Sequence, residues 1–174
     1  MKRFLTIAAV AALAVIALSS CGNKENPDKK AEFGYATVTT KYYINDDLDK
    51  AAKVNLNITK FDGMKMNVPV TTTQQVVDVE RYEGKLPAEF TFSFSATQKD
   101  NLTKDSYNCK LTYEMLVKVY DTKGNLKKSK TDKDEVEVGN KKENMDLTIA
   151  RFNRIGTKFI IKEDMSIETE AVRQ

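Results

Sequence analysis

Apolar and polar residues alternate one by one through much of this chain, and this alternation restricts the fold more than any other feature. In Phe90-Thr91-Phe92-Ser93-Phe94-Ser95, three phenylalanines fall on one face of an extended segment and three small hydroxyl residues on the other. A period of two residues is that of a β-strand with one face in a core and one in water. The same alternation recurs at Val54–Thr59, Val77–Glu80, Leu111–Val119 and Met165–Ile167. The sequence therefore predicts a chain built mainly from half-buried strands.

Glycine-containing turns separate these predicted strands. Asp62-Gly63 and Lys123-Gly124-Asn125 each lie between two strand-like segments. Glycine tolerates the positive φ that tight hairpin turns require. Gly139-Asn140 and Gly156 follow the same pattern. We therefore expect turns at all four positions.

Helical patterns are confined to one short segment. Asp46–Lys53 (DDLDKAAK) predicts about two helical turns, with Asn45 or Asp46 as the N-cap. Leu147 and Ile149 are two residues apart, and this spacing indicates another strand. We expect no other helix of any length.

These predicted elements indicate an all-β fold. About eight strands without long helices favour an antiparallel β-sandwich. The segment Leu116–Leu126 (LVKVYDTKGNL) resembles a hairpin of immunoglobulin-like modules, and this resemblance implies an immunoglobulin-like sandwich. The chain departs from the antibody pattern because it contains no tryptophan. An up-and-down β-barrel is the alternative.

The amino-terminal segment has a different character from the rest of the chain. Lys2 and Arg3 precede an uncharged apolar run, Phe4–Leu18, which leads into Ser19-Ser20-Cys21. A helix of this length rises about 22 Å, which is short of the ~30 Å hydrocarbon core of a bilayer. A cationic start, an apolar middle and small residues before a cut are typical of a secretory signal peptide.

Leu18-Ser19-Ser20-Cys21 resembles the lipobox of bacterial lipoproteins. The resemblance implies cleavage before Cys21, a diacylglycerol on its thiol and an acyl chain such as palmitate on its new amino group. Residues 1–20 are then a lipoprotein signal peptide, residues 21–32 a flexible tether and residues 33–174 the β-sandwich domain. Gly22 stands where an aspartate retains family members in the inner membrane, so the resemblance implies an outer-membrane lipoprotein facing either the periplasm or the cell surface.

Composition excludes several functional classes. Removing Lys2 and Arg3 leaves 26 basic and 25 acidic residues, a net charge of +1, which argues against a nucleic-acid binder. The chain has no histidine, so it lacks Ser-His and Cys-His catalytic systems and histidine metal sites. Cys109 remains alone once Cys21 carries lipid, and we interpret it as a small buried hydrophobe. We expect no cofactor, no metal site and no catalytic residues.

Tyr42 and Tyr43 are the candidate ligand contacts. If they lie in a strand, one of the two faces outward, because adjacent strand residues point to opposite faces. An outward tyrosine can stack on a sugar ring, although an ordinary sheet-surface tyrosine is the simpler interpretation.

Two charged segments also carry alternative interpretations. Asn45-Asp46-Asp47-Leu48-Asp49 is rich in oxygen ligands but lacks the spacing of a calcium loop, which favours a helix cap with an acidic face. Lys127–Lys133 could bind anionic headgroups or glycans, or form a charged edge strand or loop that prevents aggregation.

These observations favour a lipid-anchored envelope protein that acts as a non-catalytic binding or structural module, with the membrane and an envelope protein or glycan as partners. In overall style the chain resembles small envelope lipoproteins of Gram-negative bacteria. The alternatives are a carboxylate-dependent glycan hydrolase and a barrel that binds a small apolar ligand.

Overall fold

The computed structural model of the protein describes residues 31–172. The signal peptide, the lipobox with Cys21 and all but the last two residues of the tether lie outside the described residues. The strands are β1 (Phe33–Ile44), β2 (Ala52–Thr59), β3 (Lys65–Pro69), β4 (Gln75–Tyr82), β5 (Ala88–Gln98), β6 (Ser106–Asp121), β7 (Leu126–Lys141), β8 (Gly156–Ile161) and β9 (Ile167–Ala171). The helices are α1 (Asp46–Ala51), a 3₁₀ turn at Lys142–Asn144 and α2 (Met145–Phe152). None of the helices described is long and apolar enough to cross a bilayer.

The strands form two antiparallel sheets, which confirms the predicted β-sandwich. The four-stranded sheet has the order β4-β1-β6-β7, and the five-stranded sheet has the order β3-β2-β5-β8-β9. The up-and-down barrel alternative is wrong, because the strands divide into two sheets instead of closing into one. The described residues contain nine strands where the sequence predicted about eight.

The core fills the space between the two sheets. Phe90, Phe92 and Phe94 of β5 are fully buried, as their alternation predicted. The ring of Phe92 lies 5.4 Å from that of Tyr113 in the opposite sheet and 6.2 Å from that of Phe159. Buried aromatic side chains of this size contribute much of the apolar area that drives folding.

Two predicted turns are present, and each has its glycine in the left-handed region. Gly63 has φ of 83° between β2 and β3, and Gly124 has φ of 81° between β6 and β7. The predicted turn at Gly139-Asn140 is wrong, because both residues continue β7 and pair with β6. Gly156 likewise begins β8 and pairs with Ser93. The long partner strand β6 supplies the pairing that keeps the glycine segment extended.

The predicted strand at Leu147 and Ile149 is wrong, because both residues lie in helix α2. Met145, Thr148 and Phe152 are buried at spacings of three and four residues, while Leu147 is exposed. Leu147 and Ile149 have the two-residue spacing of a strand, but a short apolar segment does not distinguish a strand from a helix. The apolar side of the helix therefore packs onto the core.

Helix α1 is two residues shorter than predicted, because Ala52 already begins β2. Asn45, and not Asp46, is its N-cap: the Asn45 side chain accepts a hydrogen bond from the Leu48 N–H at 3.0 Å. An asparagine in this position satisfies a backbone donor that the helix leaves unpaired.

Candidate functional site

A groove crosses the outward face of the four-stranded sheet where β1, β6 and β7 lie side by side. We call it the Tyr43 groove, and its volume is about 420 Å³, the size of a site for a small ligand. Its lining residues are Lys41, Tyr43, Gln74, Thr112, Tyr113, Glu114, Lys133, Asp134 and Glu135. Tyr113 packs its ring in the core and pairs with Asp134, so these two residues border the groove from the inward side of their strands.

The strand register explains why a depression forms here. Tyr43 of β1 pairs with Thr112 of β6, and Thr112 pairs with Glu135 of β7. Thr112 is the shortest of these three side chains and lies in the middle, so it forms the floor between two longer neighbours. Its Oγ1 is buried and has no hydrogen-bond partner among the described residues. The oxygen is covered, so the floor presents the small size of threonine, and not its hydroxyl, to the groove.

Ion pairs hold the charged side chains around this floor. Lys41 Nζ lies 3.5 Å from Glu114 Oε2, and Lys110 Nζ lies 2.6 Å from Glu135 Oε1. The hydrogen bond to Glu135 raises the pKa of Lys110 above its usual range. Lys133 lies opposite Glu114 in the β6–β7 ladder. Positive and negative groups thus alternate across the strands. The groove therefore offers hydrogen-bond donors and acceptors, and neither sign of charge dominates it.

The two candidate tyrosines lie on opposite faces of β1, as the alternation predicted. Tyr43 is half-buried on the outward face and lines the groove. Tyr42 is only 2% exposed and packs in the core, and burial raises the pKa of its phenol. Tyr42 is therefore a core residue with no access to a ligand in the groove, and the candidate ligand contact narrows to Tyr43.

Cys109 lies in the core, as predicted. Its side chain is fully buried, and burial raises the pKa of the thiol to about 11. A thiol in this environment is neutral at physiological pH and unreactive.

The Asn45–Asp49 segment serves structure. Asp47 accepts a hydrogen bond from the Asn108 N–H at 2.9 Å and one from Lys104 at 2.5 Å, and both lower the pKa of its carboxyl. Asp49 lies 3.8 Å from Lys99. Within residues 31–172, no group of three histidine, cysteine, aspartate or glutamate side chains has an arrangement that could hold a metal ion.

The basic segment Lys127–Lys133 lies in β7, an edge strand of the four-stranded sheet. Its residues are mostly exposed. Charged side chains on an edge strand discourage pairing with another chain, which agrees with the charged-edge interpretation.

Several lining residues were absent from the sequence predictions. Lys41, Thr112, Glu114 and Glu135 occupy outward positions of their strands, and alternation assigns that much. Their proximity to Tyr43 depends on the register of β1 with β6 and of β6 with β7, which local sequence patterns do not give.

Comparisons with protein-family models, with curated proteins and with solved structures found no match to this chain.

Proposed function

We propose that this protein is a bacterial outer-membrane lipoprotein whose sandwich domain is a non-catalytic binding module that takes a saccharide in the Tyr43 groove. The observation that carries the binding proposal is the half-buried Tyr43 ring standing beside the short Thr112 floor of the groove, next to the Lys41–Glu114 ion pair. The anchoring proposal rests on the lipobox-like Leu18-Ser19-Ser20-Cys21.

A lipid anchor at Cys21 suits the position at which the domain begins. The first strand starts at Phe33, so about a dozen residues separate the lipid from the sandwich. Each buried acyl carbon stabilises membrane binding by about 0.8 kcal/mol, and two or three chains together give lasting attachment. The tether then keeps the domain close to the bilayer surface, with the envelope glycans and proteins around it as accessible partners.

A neutral saccharide fits the chemistry of the groove. An aromatic ring supplies an apolar surface against which the C–H face of a sugar packs. Lys41 and Glu114 supply a donor and an acceptor for sugar hydroxyls, and the short Thr112 leaves room between them and the Tyr43 ring. The outward-facing lining side chains include two lysines and two glutamates, a balance that suits many hydroxyl groups better than one strong charge.

The carboxylates of the groove support binding without catalysis. Glu114 and Glu135 are each engaged by a lysine, Lys41 and Lys110. A glycosidase needs two carboxyl groups free to face the glycosidic bond, and each of these two glutamates faces a lysine instead. The glycan-hydrolase alternative therefore ranks second.

The anchor is tested by replacing Cys21 with serine in the native host. We expect the natural protein to incorporate labelled palmitate and to fractionate with the outer membrane, and C21S to do neither. Identical labelling and fractionation of the two proteins would overturn the anchoring proposal. Protease treatment of intact cells then separates the periplasmic and surface-facing orientations.

The groove is tested by titrating the protein with a panel of neutral oligosaccharides. We expect Y43A to lose binding and Y35A to keep it, because Tyr35 lies on the same face of β1 but outside the groove. Equal binding by Y43A and the natural protein would exclude this groove. Release of reducing sugar that disappears in E114Q would replace the binding proposal with the hydrolase alternative.

A further inference from the structure

The chain enters the sandwich directly beside the turn between β6 and β7. The Thr122 N–H donates a hydrogen bond to the Glu32 carbonyl at 3.1 Å, and Phe33 pairs with Asp121. A Cβ on Gly34 would collide with the Asp121 carbonyl, so this close approach requires glycine. The proposed tether from Cys21 therefore reaches the domain at this turn, and we call this side of the molecule the anchor end.

Aromatic and apolar side chains lie exposed or half-buried at the anchor end. The Tyr35 and Tyr120 rings stack on the outward face of the four-stranded sheet, with centroids 4.5 Å apart. Leu126 pairs with Tyr120 in the ladder and is 52% exposed. The Arg81 guanidinium lies 3.9 Å from the centre of the Tyr35 ring and also pairs with Glu83. Tyrosine and basic residues together are typical of surfaces that lie at a membrane–water interface.

The adjoining hairpin is strongly cationic. Residues 121–130 hold four lysines, Lys123, Lys127, Lys128 and Lys130, and a single acidic residue, Asp121. Asp121 is buried and pairs with Lys127 at 2.9 Å, so the lysine balances its negative charge. Four lysines and one aspartate give this hairpin a net charge of +3, part of which Asp164 offsets at Lys128, and the remainder complements an anionic membrane surface.

We propose that the anchor end rests on the anionic phospholipid headgroups of the bilayer that holds the lipid, through Tyr35, Tyr120, Leu126 and the hairpin lysines. This inference rests on the proposed anchoring at Cys21 and adds an orientation to it. Tyr43 lies eight residues further along β1 than Tyr35, about 26 Å at the rise of a strand. The contact with headgroups therefore leaves the Tyr43 groove open to the aqueous side.

The test uses the full-length lipidated protein reconstituted into vesicles of phosphatidylcholine, alone or mixed with phosphatidylglycerol. T122C places a fluorescent label at the anchor end, and N101C places the same label in the exposed loop between β5 and β6 at the opposite end. The buried Cys109 does not compete for the label. We expect a headgroup-bound quencher to remove most of the emission of the Thr122 label in the mixed vesicles and little of the emission of the Asn101 label.

A matched pair of leucine variants tests the contact itself. L126E places a carboxylate at the anchor end, and L147E makes the same change at a residue that is 62% exposed in α2. We expect L126E to restore the emission of the Thr122 label and L147E to leave it quenched. Equal quenching of the two labels in protein that floats with the vesicles would overturn this inference alone. Protein that does not float with either vesicle would overturn the anchoring proposal and this inference with it.

Discussion

The Asp121 carboxylate lies 2.9 Å from Lys127 Nζ across the turn that joins β6 to β7. The same carboxylate accepts hydrogen bonds from the backbone N–H groups of Lys123 at 3.0 Å and Asn125 at 2.8 Å. Lys127 first, and Asn125 after it, hold the pKa of Asp121 well below its usual range. One buried acidic side chain therefore organises the turn beside which the chain enters the domain.

This pKa shift predicts how stability depends on pH. A carboxyl with a lowered folded-state pKa stabilises the fold above its unfolded value of about 3.9, and the contribution disappears as the pH falls through the folded-state value. We expect D121N to be less stable than the natural protein at neutral pH, with the difference narrowing below about pH 4. Urea midpoints measured across the acid range check this expectation.

The matched control for this variant is D100N, at an exposed loop position. Its urea midpoint should follow that of the natural protein at every pH. A D121N difference that stays constant down to the lowest pH would show that Asp121 acts through its shape and not through its charge.

Asn45 joins helix α1 to strand β6, so its removal should weaken both. Its side-chain oxygen accepts from the N–H groups of Leu48 and Lys110, each at 3.0 Å, and its amide donates to the Asn108 carbonyl at 2.7 Å. We expect N45A to lower the free energy of unfolding by about 1–2 kcal/mol. D46A, next to it, should change that free energy by less than about 0.5 kcal/mol. Equal effects of the two variants in chemical denaturation would contradict the assignment of Asn45 as the cap.

The adjacent tyrosines of β1 should respond differently to truncation. Tyr42 is buried in the core, and Y42A should lower the free energy of unfolding by about 3–5 kcal/mol, as large-to-small core substitutions do. Tyr43 lies on the outward face, and Y43A should cost less than about 1 kcal/mol. Thermal and chemical unfolding of the two variants provide the measurement. A larger loss of stability for Y43A than for Y42A would show that Tyr43, and not Tyr42, faces the core.

The buried Cys109 thiol should resist modification while the protein is folded. Its pKa of about 11 follows from burial first and from the nearby Asp47 charge second. Because the thiolate is the reactive form, alkylation at neutral pH should be at least about a hundredfold slower than for a free cysteine. Mass spectrometry after iodoacetamide treatment measures this rate in native protein and in urea. T122C, with an exposed thiol, is the control that should react in both conditions.

Local patterns in the sequence predicted the strands where burial alternates regularly. Phe90, Phe92 and Phe94 face the core, and Gly63 and Gly124 form turns. Alternation failed at Met145–Phe152, because Leu147 is an exposed leucine on a helix whose buried positions are spaced by three and four residues. It also failed at Gly139-Asn140, because pairing with β6 keeps this segment extended. At Gly139-Asn140 a contact with a distant strand overrides the local preference, whereas a short apolar segment such as the one in α2 fits a strand and a helix equally.

Only part of the candidate site could be predicted from the sequence. Alternation placed one of Tyr42 and Tyr43 on the surface but gave no means to choose between them. The choice depends on which side of β1 faces the other sheet. Thr112 and Glu135 come close to Tyr43 only through pairing between strands that lie far apart in the chain.

Half-buried strands joined by glycine turns follow from the sequence alone, because a period of two residues and a positive φ are local properties. The three-dimensional fold sets how those strands divide into two sheets and which face of β1 is outward. It also places a short threonine between a tyrosine and a glutamate. Register and sheet order arise from hydrogen bonds and packing between distant segments, and no local pattern encodes them.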